Sequence, residues 1–148
     1  MSDLSLISMK PDVELAEYLT GRISVVTGPG ETADVVVYSD GERPTNGVAN
    51  DFIDIFLNGG INGIAYDADF ARGNIGVSLY CKMNDDGTVK KNRVERLLDQ
   101  FYKIVNRCLT EHYYYEYDFP MFLTPTTPDY SSGYSVTTIN LRWHSTNN

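Results

Sequence analysis

Residues 74–109, NIGVSLYCKM-NDDG-TVKKNRVERLLDQFYKIVNRCL, decide the fold class. Across Asn74–Met83 the side chains of Ile75, Val77, Leu79, Cys81 and Met83 alternate with Gly76, Ser78, Tyr80 and Lys82. That is the period of a strand with one buried face. Asn84-Asp85-Asp86-Gly87 is a turn, because Asn and Asp tolerate unusual backbone angles and Gly meets no steric penalty there. From about Thr88 the apolar spacing lengthens to three and four. Val94, Leu97, Leu98, Phe101, Val105, Cys108 and Leu109 form one stripe, predicting a helix over Val89–Leu109.

Working outward, Pro11–Ile23 reads as a shorter helix. Pro11 suits the first turn, where its missing N–H is no loss, and Asp12, Glu14 and Glu17 favour the positive end of the helix dipole. Val13, Ala16, Leu19 and Ile23 make its stripe, flanked by Leu15 and Tyr18, and Gly21 weakens or closes the last turn. Val25–Ala33, with Thr27-Gly28-Pro29-Gly30, reads as a loop. Asp34–Tyr38 reads as a short strand buried on both sides or nearly so. Asp51–Leu57 is the next strand, with Ile53, Ile55 and Leu57 on one face and Phe52 and Phe56 on the other. Asp54 between the two phenylalanines implies that something outside the fold partly covers that face. Asn58–Gly73 is a Gly-rich connection longer than compact domains usually carry, and such loops tend to be functional or disordered.

After the long helix, His112–Phe122 is a tyrosine-rich strand that Pro120 ends or places at an edge. Leu123–Gly133 reads as a second long loop, and Tyr134–Trp143 closes the chain with Ile139, Leu141 and Trp143 on one face. The expectation is an α+β fold: a mostly antiparallel sheet with one long helix packed on a face and a short N-terminal helix. Residues 11–144 form its single domain, residues 1–10 an N-terminal arm and residues 145–148 a tail.

The 148 residues carry 20 acidic and 12 basic side chains, a formal charge of −8. A surface of that sign repels phosphate backbones, which argues against sequence-specific binding to nucleic acid. Lys90, Lys91, Arg93 and Arg96 sit among Asp85, Asp86, Glu95 and Asp99 and read as a solvated mixed-charge face. Cys81 and Cys108 each fall on an apolar face and read as buried free thiols, with a disulfide as the minor alternative. Met1–Lys10 lacks the basic start and apolar run of a signal peptide, and no stretch approaches the ~20 apolar residues of a membrane span. The chain therefore reads as made in the cytoplasm.

Chemistry is thin. Only His112 and His144 could act as a base, no Gly-x-Ser-x-Gly elbow occurs, and neither cysteine has a basic neighbour to make it a thiolate. Asp67 and Asp69 invite a calcium or magnesium reading, but Phe70 and Ala71 follow where further oxygen ligands would be needed, so surface acidity is the better account. Gly28-Pro29-Gly30 lacks the Lys-Ser/Thr of a phosphate loop and is a turn. No catalytic residue, metal or cofactor is expected. The tyrosine run lacks the interleaved cations of a base-stacking platform, having Glu111, Glu116 and Asp118 instead. It reads as a protein contact surface or as a structural strand. The candidate protein–protein contacts are Phe52, Phe56, Tyr66, Asp67, Asp69, Phe70, Arg72, Tyr113, Tyr115 and Tyr117.

The order of elements resembles the tail-terminator (tail-completion) proteins of tailed bacteriophages, whose fold is shared by related head-to-tail connector proteins. The likeness lies in the helix at Pro11–Ile23, the loop Asn58–Gly73 between Asp51–Leu57 and Asn74–Met83, the helix Val89–Leu109 and the closing strand Tyr134–Trp143. It spans nearly the whole chain and rests on element order and length, since the family has no signature motif. It implies a virion structural protein of the neck or tail, assembled in the host bacterial cytoplasm. Such a protein forms a ring, often a hexamer, that caps the tail tube and meets the head-tail connector proteins, with DNA passing through its lumen. The resemblance supplies no catalytic residues. The aromatic Tyr113–Tyr117 and the Pro/Ser-rich Leu123–Gly133 depart from the pattern and leave another head-completion or neck role open. From a different class, a small acidic regulatory binder such as a DNA mimic is the alternative, although the acids here are scattered rather than massed on one face.

Overall fold

The computed structural model describes residues 11–44, 51–62, 72–117 and 126–146, with the side chains of 58–62 set aside. Helix α1 (Pro11–Leu19) opens on the proline, as expected, but its buried stripe is Pro11, Asp12, Leu15, Ala16 and Leu19. Val13 is only half-buried, and the helix stops before Ile23 because Gly21 takes a positive φ of 83°. Arg22 N–H then bonds back to the Leu19 carbonyl at 3.0 Å, closing the end. Ile23 is fully buried all the same, as the lead into the next element.

That element corrects the sequence reading. Val25–Ala33 is not a loop but an antiparallel hairpin, β1 (Ser24–Gly28) and β2 (Glu31–Asp34), turning at Pro29-Gly30. All four residues of β2 are exposed, so the strand carries no apolar alternation by which it could be read. Strand β3 (Val36–Tyr38) runs parallel to β4 (Phe52–Asn62) at the edge of the main sheet. An edge strand has an open flank, and Val36 is 50% exposed rather than buried on both sides.

Strands β4 and β5 (Arg72–Lys82) form a long hairpin whose pairing runs from Phe52↔Tyr80 out to Asn62↔Arg72. Much of the expected Asn58–Gly73 loop is therefore strand, and the part between Asn62 and Arg72 lies outside the described residues. The turn 84–87 is present, with Gly87 at φ 84°. Helix α2 (Lys91–Val105) buries Val94, Leu97, Leu98, Phe101 and Val105, the predicted stripe. It ends earlier than expected: Arg107 adopts φ 60°, and Cys108–Leu109 become strand β6. The spacing 105, 108, 109 suits a helix face, but a left-handed residue inside it ends the helix. Strands β7 (Tyr113–Tyr117), β8 (Thr127–Asp129) and β9 (Tyr134–Ser145) complete the chain, so part of the second expected loop is strand as well. Residues 118–125, with Pro120, lie outside the described set.

The main sheet has seven strands in the order β3-β4-β5-β9-β7-β6, with β8 also on β9, and is mostly antiparallel and strongly curled. Cross-strand partners share a face. The rows Ile53–Leu79–Thr137, Ile55–Val77–Ile139 and Leu57–Ile75–Leu141 therefore point together. Both helices pack on that side, α1 against β3 and β4 and α2 against β5 and β7. One apolar cluster joins the helices and this face, with Leu15, Phe101 and Trp143 wholly buried in it. The α+β expectation, with a long helix and a short N-terminal one on the sheet, is met. No described helix is long and apolar enough to cross a membrane.

Candidate protein–protein interface

The side of the sheet away from the helices is graded from aromatic to charged. At one end Phe52 stacks on Tyr80 with ring centroids 4.4 Å apart, while Tyr134 and Tyr38 meet it edge-on at 5.3 and 5.9 Å. The Arg43 guanidinium lies over both Phe52 and Tyr80, 5.3 and 5.0 Å from their centroids. Phe52 is 3% exposed as a result. The cover inferred from the Phe52-Asp54-Phe56 pattern is supplied at Phe52 by the fold's own tyrosines. Phe56 sits over Gly76 of the paired strand, where an added Cβ would fall 2.3 Å from a ring carbon. Only glycine admits that seat, and the ring in turn shields backbone that glycine leaves bare. Between the rings, partial burial raises the Asp54 carboxyl above the ordinary carboxylate range, against the pull of Arg43 at 3.8 Å.

At the other end the face is polar. Arg72 is exposed and pairs with His144, which pairs in turn with Tyr114, and Asn74 pairs with Arg142, which pairs in turn with Glu116. Glu116 lies 3.1 Å from His144 Nε2 and 3.9 Å from Arg142. Here the tyrosine strand corrects the sequence reading. The pairing Tyr115↔Trp143 turns the odd-numbered tyrosines toward the helices. Tyr113 and Tyr115 are 0% exposed, and the Tyr115 hydroxyl donates to the Pro11 carbonyl at 2.6 Å. Tyr117 is half-buried on the same side, edge-on to Tyr102 of α2 at 5.0 Å. These three residues offer core packing rather than a contact surface; Tyr114 and Glu116 hold the open side. A one-residue shift in phase reverses a strand's faces. The signal was in the sequence, because Glu116 sits in phase with Tyr114 and against Tyr115. Of the candidate contacts, Phe56 and Arg72 stand on the open face, while Tyr66, Asp67, Asp69 and Phe70 lie outside the described residues.

A second surface was missed altogether. The β1–β2 hairpin is a two-stranded sheet of its own, held against α2 by side chains that imitate a strand. Gln100 accepts from Ser24 N–H at 3.1 Å and donates to the Ser24 carbonyl at 2.8 Å. Arg93 donates to the Val26 carbonyl at 3.1 Å. Gln100 and Ser24 are 76 positions apart, so no local pattern could couple them. Between β1 and α2 lies a groove of about 720 Å³ whose lining includes Val26, Thr27, Lys90, Arg93, Arg96 and Asp99.

Arg93 is not part of a solvated face. Its Nε lies 2.9 Å from Oδ2 of Asp51, whose side chain is 1% exposed. The contact is ionic rather than a well-aimed hydrogen bond, since Nε finds no bonding geometry there. Asp51 also accepts from Lys82 N–H at 2.8 Å and from the Cys81 thiol at 3.5 Å. One carboxylate thus ties the starts of β4 and α2 to the end of β5. Burial, reinforced by Asp51, pushes the Cys81 thiol up to about 12, and burial pushes Cys108 up to about 11. Both are free and inert as nucleophiles. Glu14 of α1 makes a short contact to His112 Nδ1 and accepts from its backbone N–H, and this hydrogen bond holds the imidazole above its ordinary pKa.

Among the described residues no group of three His, Cys, Asp or Glu could hold a metal ion. The geometry defines an α+β protein with two separate surfaces, a face graded from aromatic to charged on the sheet and a polar groove beside the hairpin. In comparisons with known proteins, no family model and no curated sequence matches the chain.

Proposed function

We propose that this chain is a virion structural protein of a tailed bacteriophage, a tail terminator or neck ring protein that caps the tail tube and meets the head. The observation that carries the reading is the β1–β2 hairpin, which stands apart from the main sheet with every residue of β2 exposed. A two-stranded hairpin is marginal alone, and an exposed strand edge is a template for contact with another chain. The open sheet face, with Phe56 at its centre, is a second and different surface. Contacts that close a ring need two unlike patches on each subunit, and these supply them. The order of elements supports the same class, and a net charge of −8 suits a wall past which DNA must slide without being held.

Light scattering on the purified protein after size exclusion tests the reading, with negative-stain microscopy of the product. The expected species is a ring or a readily polymerising form. A stable monomer at every concentration would defeat it and favour the small acidic binder instead.

A further inference from the structure

The β1–β2 hairpin turns one face to the core and one away from it. Val25, paired with Ala33, is 7% exposed and belongs to the apolar cluster, so that row faces inward. The pairs Val26↔Thr32 and Ser24↔Asp34 therefore face outward, because neighbours along a strand alternate. Val26, 44% exposed, is the apolar centre of this outward face. Asp34 is its charge, exposed and with no cation in ion-pair reach among the described residues. Glu31 lies on the other face, its carboxylate folded back over Gly28.

At the polar end of the open sheet face, Leu109, Tyr114, His144 and Arg72 stand side by side across β6, β7, β9 and β5. Leu109 is 56% exposed and Tyr114 half-buried. Arg142, in the next row, is engaged with Glu116 at 3.9 Å. Arg72 is exposed and meets no carboxylate among the described residues. The row thus runs from an aliphatic side chain through a tyrosine to an arginine, residue types suited to a protein contact. Tyr114 and Arg72 are two strand spacings apart, about 10 Å. Val26 and Asp34 are diagonal neighbours, roughly 7–8 Å apart, and the length of the arginine spans the difference.

The geometry points to this row as the seat for the outward hairpin face of a second copy, with Val26 on Leu109 and Tyr114 and with Asp34 on Arg72. The inference rests on the ring reading and names the contact that builds the ring. Hairpin and row are unlike patches of one chain, so the contact runs head to tail. Gln100 and Arg93 already bond the outward backbone of β1, so on that side the hairpin docks by its face and not by its edge.

The test uses three full-length variants. Asp34→Arg, Arg72→Glu and the double exchange change exposed side chains, so each should keep the wild-type thermal transition. Each single variant should self-associate at least about tenfold more weakly by sedimentation, because like charges then face each other. The double exchange should recover assembly, since Arg at 34 then meets Glu at 72 of the next copy. Leu109→Ser should also weaken association, through the apolar half of the contact. The inference is overturned if either single variant assembles like the wild type, or if the folded double variant stays as weak as the single ones. Asp34→Asn and Arg72→Gln, expected to weaken assembly less than the reversals, serve if a reversed variant misfolds. Wild-type rings indifferent to all these changes would sink this contact alone, whereas a wild type that never assembles would sink the ring reading with it. Retention of duplex DNA that Arg72→Glu abolishes, with assembly intact, would overturn the contact and assign the row to nucleic acid.

Discussion

Replacing Asp51 by Asn should be among the most damaging single-atom changes this protein can suffer. The substitution keeps the shape and an acceptor for Lys82 N–H, but it removes the charge that faces Arg93 at 2.9 Å. Breaking a buried ion pair by neutralising one partner costs roughly 3–5 kcal/mol, because the other charge is left uncompensated. Arg93 keeps 22% of its side chain in solvent, which lets water recover part of that loss, so the lower bound is the fair figure: about 3 kcal/mol. For a domain of this size one kcal/mol moves the midpoint by about 2–4 °C, giving a drop of roughly 6–12 °C. Urea unfolding followed by far-UV circular dichroism would measure it, alongside Arg93→Met and the double variant. The two changes should be strongly non-additive, since the double variant leaves no stranded charge. A loss under about 0.5 kcal/mol for Asp51→Asn, or full additivity, would show that this carboxylate does not organise the junction of β4, β5 and α2.

Other outcomes follow from particular contacts. Gly73→Ala should cost about 1–3 kcal/mol by the same unfolding assay, because its Cβ would stand 2.9 Å from the buried Trp143 ring; a neutral result would mean that the indole is free to move. The Glu14–His112 bond raises the histidine's folded pKa above its unfolded value near 6.5, so its contribution is complete below about pH 6.5 and is lost as pH rises through the folded value. The stability gap between wild type and His112→Asn should accordingly narrow from acid to alkaline pH, and a gap that widened would reverse the sign assigned to this pair. Cys81 and Cys108 should resist a thiol reagent at pH ~8 in the folded protein and react on unfolding, given thiols raised to about 12 and about 11; rapid native labelling would contradict their burial. Replacing residues 63–71 by Asn-Gly should leave a folded subunit, since β4 and β5 are already paired at Asn62↔Arg72, yet, under the proposed tail-terminator role, one that fails to cap tails. Infectious particles at normal yield would count against a role for that segment.

Much of the core was legible because burial on one face writes itself into spacing. Ile75 to Met83 and Val94 to Val105 could be read directly, and they are the sheet centre and the helix laid on it. What could not be read falls into two kinds. Strands without a buried face, such as Glu31–Asp34, leave no period, and Thr27-Gly28-Pro29-Gly30 announced a turn without announcing the strands it joins. Contacts between distant positions leave no local trace, so Gln100 on Ser24 and Arg93 on Asp51 were invisible, and the groove with them. The tyrosine strand was a different failure. Its period was evident, but which phase faced the helices depended on its pairing with Trp143, and the wrong face was assigned to the outside.

Gln100 presents to Ser24 the same donor and acceptor that a neighbouring strand would. A foreign chain seeking to lengthen the hairpin along β1 must first evict an amide that already satisfies it. The molecule thus carries its own chain stopper: strand-upon-strand growth from that side is blocked by a side chain that has already taken the place of the next strand.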